Sequence, residues 1–265
     1  MRSSTFFLGA SLLASEAVAA FNYTTRMTHH GVEVPVVLTE LPPRDRLPQF
    51  GPSQKRDGPV SNTANWAGAI QEAPVSGLFY SISATWQVPG IYSPGPALTD
   101  DTYWLYEWVG IDSACGCILQ SGTGQTLNVN GWTNLVWWEW FPAAPQGVNM
   151  PINYQDTFTV TITATSTESG TIVIDNNTQG YSFTVDVSGG QTLCLQNAEW
   201  VVENPVSGSM PWPNFNEVWF SNAVATTTTG AQMGIDGTTA IHGDSSDGTV
   251  IYSEWVDNND MYVQW

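Results

Sequence analysis

From residue 78 to the C-terminus the chain alternates apolar and polar residues with a period of two, and no segment carries the 3.6-residue stripe of an amphipathic helix. Leu78, Tyr80, Ile82, Ala84, Trp86 and Val88 are expected on one strand face, opposite Ser81, Ser83, Thr85 and Gln87. Phe158, Val160, Ile162 and Ala164 alternate with threonines, and Tyr181, Phe183, Val185 and Val187 with Ser182, Thr184 and Asp186. Further strands are predicted at 105–111, 117–121, 135–141, 171–175, 197–203, 217–224, 249–256 and 261–265. Loops rich in Pro, Gly and Asn separate them at 89–101, 141–156, 188–192 and 204–216. So many strands without intervening helices predict an all-β fold, an antiparallel sandwich or barrel in a single domain. The 13 Trp, 10 Phe and 9 Tyr supply ample apolar surface for its core.

The N-terminus is built differently. Arg2, the apolar run Phe6 to Leu13 and Ala17-Val18-Ala19 read as a secretory signal over 1–19, too short an apolar run to span a bilayer. Residues 20–56 hold Arg26, Arg44, Arg46, Lys55 and Arg56 with His29 and His30, and end at a dibasic Lys55-Arg56. They read as a removable basic propeptide ahead of a body at 57–265, in a secreted, extracellular protein.

Past Arg56 there is no Lys or Arg, while 20 of the 24 acidic residues remain. Nucleic acid and anionic membranes, which need a basic patch, are excluded as partners. A body without basic side chains cannot rest on salt bridges, so protonating its carboxylates breaks none. Mutual repulsion should raise the folded carboxyl pKa values, so that stability falls as pH rises. The basic propeptide should be held on this acidic body near neutral pH and released in acid, which makes it an expected inhibitor or chaperone.

The three cysteines allow one disulfide, Cys194 with Cys115 or Cys117, since 115 and 117 are too close to bridge easily. Metal binding and a cofactor are not expected. Asn22 and Asn176 begin glycosylation triplets.

The body has no H-E-x-x-H, no G-x-S-x-G and no paired Asp-Thr/Ser-Gly signatures. Its one histidine, His242, sits beside Asp244 and Asp247 and reads as surface. Carboxylates are then the remaining acids and bases. Glu199, Val201 and Glu203 share a strand face, Glu139 shares one with Trp137, and Gln120 lies beside Ile118 and near Gly122. A charge among tryptophans needs a partner or a function. Two readings fit at this point: a glycoside hydrolase using Glu139 and Glu203, or an acid hydrolase pairing one carboxylate with a neutral amide. A carbohydrate-binding module with tryptophan platforms is a third.

Several ordered blocks decide between them. Asn65-Trp66-Ala67-Gly68-Ala69, Ala84 to Pro89, Trp108-Val109-Gly110-Ile111-Asp112, Ile118-Leu119-Gln120-Ser121-Gly122, Trp137 to Pro142 and Asn197 to Glu203 resemble, in the same order, the glutamic peptidases, the eqolisin family of secreted fungal acid proteases. The resemblance implies a sandwich of two seven-stranded antiparallel, concanavalin-like sheets, a catalytic Gln120 and Glu203, and a substrate cleft involving Trp108, Asp112 and Glu139. It also implies polypeptide substrates and a cleaved basic propeptide; a monomer is expected. Ser113 and Gly124 stand where many members have glycine and aspartate. The chemistry is coherent: Glu203 takes the proton of water and returns it to nitrogen, while the Gln120 amide accepts from water and donates to the oxyanion.

Overall fold

A computed structural model describes residues 21–43, 47, 54–56, 58–75, 77–95, 102–206 and 210–265; the expected signal at 1–19 lies outside them. The N-terminal segment contributes β1 (Asn22–His29), β2 (Val32–Val34), β3 (Leu38–Glu40) and β4 (Gln54–Arg56). The body follows as β5 (Gly58–Thr63), β6 (Trp66–Glu72), β7 (Phe79–Gln87), β8 (Tyr103–Ile111), β9 (Ile118–Asn128), β10 (Gly131–Phe141), β11 (Gln146–Val148) and β12 (Thr157–Ser166). It continues with β13 (Ser169–Asn176), β14 (Tyr181–Ser188), β15 (Asn197–Glu203), β16 (Glu217–Thr227), β17 (Gln232–Met233), β18 (Thr239–Asp244), β19 (Val250–Trp255) and β20 (Met261–Gln264). The described residues include a single turn of 3-10 helix, Ser113–Cys115.

The pairings form two ladders. One runs β2–β1–β14–β13–β12–β7–β16–β17. The other runs β4–β5–β18–β6–β15–β8–β9–β10–β11–β3. Strands β19 and β20 link them by pairing with β18, with each other and with β16. All pairs are antiparallel except β5 with β18. Between the ladders the inward-facing residues of both form one core, with Trp86, Trp138, Trp140, Trp200, Phe158, Ile162, Ile174 and Phe220 all buried. Burying this much aromatic and aliphatic surface is the main stabilising term, at about 2 kcal/mol for each fully buried large side chain.

The N-terminal segment is part of both ladders. β1 follows β14 over its whole length and buries Met27 in the core, while Phe21 and Tyr23 approach Trp138 edge-on at 5.9 and 5.3 Å. β3 adds to the opposite ladder on β11, and Val34, Val36 and Leu38 pack on the same core. Asn149 ties the connecting backbone, its carboxamide oxygen accepting from Val37 N at 2.8 Å.

Four expectations are corrected. Phe79, not Leu78 or Tyr80, enters the core: the alternation changes phase between Tyr80 and Ile82, where β16 pairs with β7 irregularly. His242 is buried rather than on the surface, its ring edge-on to Tyr252 at 5.2 Å. Asn176 is no glycosylation acceptor in this fold, because its buried amide donates to Pro151 O and to Asp156 Oδ2 at 3.1 and 3.0 Å. The burial of single groups, rather than repulsion among carboxylates, is the largest cause raising Glu72, Glu107, Asp112 and Glu199. The disulfide is Cys115–Cys194, with Cα atoms 6.1 Å apart. Cys117 is buried with its thiol toward Thr192 O at 3.3 Å, and burial pushes that thiol up to about 11.

Candidate functional site

Strands β15, β8, β9 and β10 lie side by side, and the outer face of their ladder carries Gln120, Glu139, Glu199 and Glu203. Register fixes the arrangement. Glu203 lies opposite Tyr106, Gly110 opposite Gln120, and Gln120 opposite Glu139. Trp108 sits between them on β8, facing Val201 on one side and Gly122 on the other. Around these polar groups a second apolar cluster, separate from the main core, gathers Trp66, Tyr106, Trp108, Ile118, Trp137 and Val201.

Two glycines let this floor form. A Cβ on Gly122 would lie 1.9 Å from the Glu107 carbonyl oxygen and 2.8 Å from Trp108 Cα, so β8 and β9 approach here more closely than any side chain permits. A Cβ on Gly110 would press on the Trp108 ring at 2.9 Å and on Gln120 Cβ at 3.3 Å. Gly122→Ala is therefore expected to cost at least about 3 kcal/mol in urea unfolding, or to prevent soluble expression. A stable, wild-type-like chain would refute the close approach.

The side chains make two hydrogen-bonded links. Trp108 donates its indole N–H to Glu203 Oε2 at 2.9 Å. Gln120 donates from Nε2 to Glu139 Oε2 at 2.7 Å. A carboxylate can only accept from a neutral amide, so the second link sets the amide orientation and leaves Gln120 Oε1 as its acceptor. That oxygen is buried and takes no hydrogen bond among the described residues. Gln120 and Glu203 are both 0% exposed and Glu139 is 1% exposed.

Asp112 has a different setting. Its backbone takes φ 88, and its carboxylate accepts from Leu195 N at 2.6 Å and Gln196 N at 3.2 Å. It thus clamps the loop that carries Cys194, beside the disulfide. Asp112, Cys115 and Cys194 bring ligand-capable atoms within 4.8 Å of one another, but the two sulfurs are bonded together and offer no thiolate to a metal.

Two buried glutamates complete the picture. Glu199 shares the outer face with Glu203 and accepts from Ser113 N at 2.9 Å; burial pushes its carboxyl up to about 8. Glu107 points into the core between the ladders, accepting from Thr123 Oγ1 at 2.7 Å and Gln125 Nε2 at 3.1 Å, and burial raises it to about 8 as well. Neither received a role from the sequence, although Glu107 alternates in phase with Leu105 and Val109, a signal that it faces inward.

In an open sandwich this outer face would meet solvent. Here Leu41 and Leu47 of the N-terminal segment pack on the cluster of Trp66, Tyr106, Trp108 and Trp137, and Asn65 Nδ2 donates to Leu47 O at 3.2 Å. β3 lies on one edge of the ladder and β4 on the other, so the segment reaches both sides of the face. Arg44 and Arg46 lie outside the described residues.

Residues 64–265 match the model of the peptidase A4 family. Aspergillopepsin-2 of Aspergillus niger is 34% identical over 182 residues, which are 62% of this chain and 64% of that protein. Scytalidopepsin B of Scytalidium lignicola is 34% identical over 148 residues, 53% of this chain and 52% of that protein. The chain thus spans less than two thirds of these curated relatives. A crystal structure of scytalido-glutamic peptidase with a peptide-based transition state analog superposes with a TM-score of 0.63 at 26% identity, covering 76% of this chain and 98% of that one. Aspergilloglutamic peptidase from Aspergillus niger superposes with a TM-score of 0.56 at 32% identity, covering 62% of this chain and 99% of that one.

Proposed function

The chain belongs to the peptidase A4 family, the eqolisins, and from that membership and the geometry of its floor we propose that it is a secreted acid endopeptidase with Gln120 and Glu203 as its catalytic pair. The single observation that carries the reading is the fixed orientation of the Gln120 carboxamide by Glu139 on the same outer face as a carboxyl group held by Trp108.

In this mechanism Glu203 removes a proton from water as it attacks the scissile carbonyl. The Trp108 N–H holds the carboxylate in position for that transfer. The Gln120 amide has two N–H groups. One is bound to Glu139, which leaves the second to donate to the developing oxyanion while Oε1 accepts from the attacking water. Glu203 then returns its proton to the leaving nitrogen. Glu139 is a positioning residue and Asp112 a scaffold residue on this account. The surrounding tryptophans keep the floor dry, which strengthens each of these electrostatic contacts. No observation favours the glycoside hydrolase, since Glu139 is committed to the Gln120 amide.

The body takes the all-β two-layer arrangement expected of the family, although its described ladders hold six and eight strands with β19 and β20 between them; the N-terminal segment adds β1 and β2 to one ladder and β3 and β4 to the other. Residues 20–56 act as a propeptide that keeps the precursor inactive, a reading supported by Leu41 and Leu47 on the floor and by the burial of Gln120 and Glu203. The test is cleavage of denatured casein at about pH 3 by chain processed after Arg56, with no cleavage by the intact precursor. Leu41→Asp with Leu47→Asp should weaken the cover and give the precursor at least about tenfold more activity before processing. An intact precursor as active as the processed chain would remove the inhibitory role, and a processed chain inert toward protein would remove the peptidase.

A further inference from the structure

The outer face of the other ladder, on the opposite side of the sandwich from Gln120 and Glu203, holds a cavity of about 550 Å³ lined by Gln87, Tyr92, Tyr154, Gln155, Asn216 and Trp219, among others. Its residues leave the sheet outward: Gln87 and Trp219 are exposed while their neighbours Trp86, Val218 and Phe220 are in the core. Three aromatic rings meet solvent there, Tyr92 at 46%, Tyr154 at 48% and Trp219 at 40% exposure. Exposing so much aromatic surface in one concavity is costly and marks a contact surface.

The rings are held in place. Tyr92 exchanges both backbone hydrogen bonds with Asn214, at 2.7 and 2.9 Å. Its ring meets Trp132 edge-on at 5.7 Å, and Trp132 meets Tyr154 at 6.1 Å. Trp219 stacks on Tyr262 at 5.0 Å. Two of the amide-bearing residues, Gln155 and Asn216, sit at φ 66 and 58, conformations their surroundings must impose. The Gln155 N–H is fixed by Val88 O at 3.0 Å and the Asn216 N–H by Asn214 Oδ1 at 3.0 Å. Aromatic plates and amides are thus presented before any ligand arrives, which lowers the entropy lost on binding.

The chemistry of the lining selects the ligand. Glu217 is its one ionisable acid, no Lys or Arg is present, and the body past Arg56 has none to lend, so a phosphate, nucleic acid or acidic glycan finds no counter-charge. A peptide adding itself as a strand finds no edge, because β7 runs between β12 and β16. A pyranose ring offers an apolar C–H face and a rim of hydroxyls that both donate and accept. Tyr92, Tyr154 and Trp219 fit the first, and Gln87, Gln155 and Asn216 the second. We propose that this cavity binds a neutral polysaccharide and tethers the protein to it, independently of the Gln120–Glu203 floor.

The test incubates the full chain, in excess albumin, with washed microcrystalline cellulose, chitin and an insoluble β-1,3-glucan, and measures depletion from the supernatant. At least one of these should retain the chain, and the double variant Tyr154→Ala, Trp219→Ala should weaken retention at least about tenfold. Both side chains are at the surface, so the variant should keep its thermal midpoint and, once processed after Arg56, its proteolysis of soluble casein. Gln120→Ala should bind like the wild type. Failure of all three solids to retain the chain would overturn the proposal, as would retention that ignores the double variant. A raised KM for casein in that variant, with glycan retention unchanged, would make the cavity a peptide subsite instead.

Discussion

Glu203→Gln should lower kcat/KM on a denatured protein at about pH 3 by about a thousandfold, within the range expected for loss of a positioned general base. The change is nearly isosteric, and the new side chain still offers an oxygen to the Trp108 N–H, so thermal midpoint and circular dichroism should stay near wild type. Gln120→Ala should lose about a hundredfold to a thousandfold through the oxyanion donor, mostly in kcat. Glu139→Gln should lose far less, about tenfold or under, because its carbonyl can still accept the Gln120 N–H. That ranking separates the two chemistries first considered, since a glycosidase would be crippled at Glu139 and indifferent to Gln120. All measurements belong on chain cleaved after Arg56, so that Leu41 and Leu47 are no longer covalently tethered over the floor. Retention of most activity by Glu203→Gln would dismiss the pair.

The strands with one face in the core were legible because alternation records that asymmetry. β12, β13 and β14 alternate buried and half-buried residues, and their boundaries agree with the pattern to within two residues. β6 and β18 were not marked as strands for the complementary reason. In Trp66–Glu72, Ala67 and Ala69 face the main core and Trp66 and Ile70 the second cluster, and in Thr239–Asp244 the residues Ala240, Ile241, His242 and Gly243 are buried in succession, so no alternation survives. β1 escaped because a strand near the end of its ladder need bury little: in Asn22–His29 only Met27 is buried. The ordered family blocks pointed to Gln120, Glu203, Glu139 and Trp108 as neighbours, and register brings them to one face. What blocks could not convey is partnership, that Trp108 holds Glu203 and Gln120 holds Glu139, because such links depend on which strands lie side by side. Asp112 shows the same limit, since its work on Leu195 and Gln196 spans a separation in sequence that only the folded chain closes.

The thermal midpoint should fall continuously from about pH 4 to about pH 8, and Glu107→Gln should flatten that fall. Glu107 and Glu199 each have a folded pKa of about 8, raised chiefly by burial, against an unfolded value of about 4.3. A group with a raised folded pKa binds its proton more tightly when folded. Its stabilising contribution is therefore complete below about pH 4 and is lost as pH climbs through about 8, at about 1 kcal/mol per pH unit for each group within that window. Two such groups withdraw several kcal/mol, comparable with the whole stability of an ordinary domain. Glu107 is the cleaner probe because it lies in the core, away from the proposed chemistry. Its Oε1 and Gln125 Oε1 are both buried and both lack a hydrogen-bond partner among the described residues. A buried carboxyl whose Oε1 meets no donor fits a group that carries a proton, and a glutamine in its place is neutral at every pH. Glu107→Gln should thus match the wild type near pH 4 and exceed it at pH 8. Parallel curves for the two proteins would show that this carboxyl is not the group whose ionisation unfolds the chain. If the curves diverge as expected, the fold draws its acid tolerance from core carboxyls that are neutral where the Gln120–Glu203 pair is asked to work, and alkali unfolds the sandwich from its centre rather than from its acidic surface.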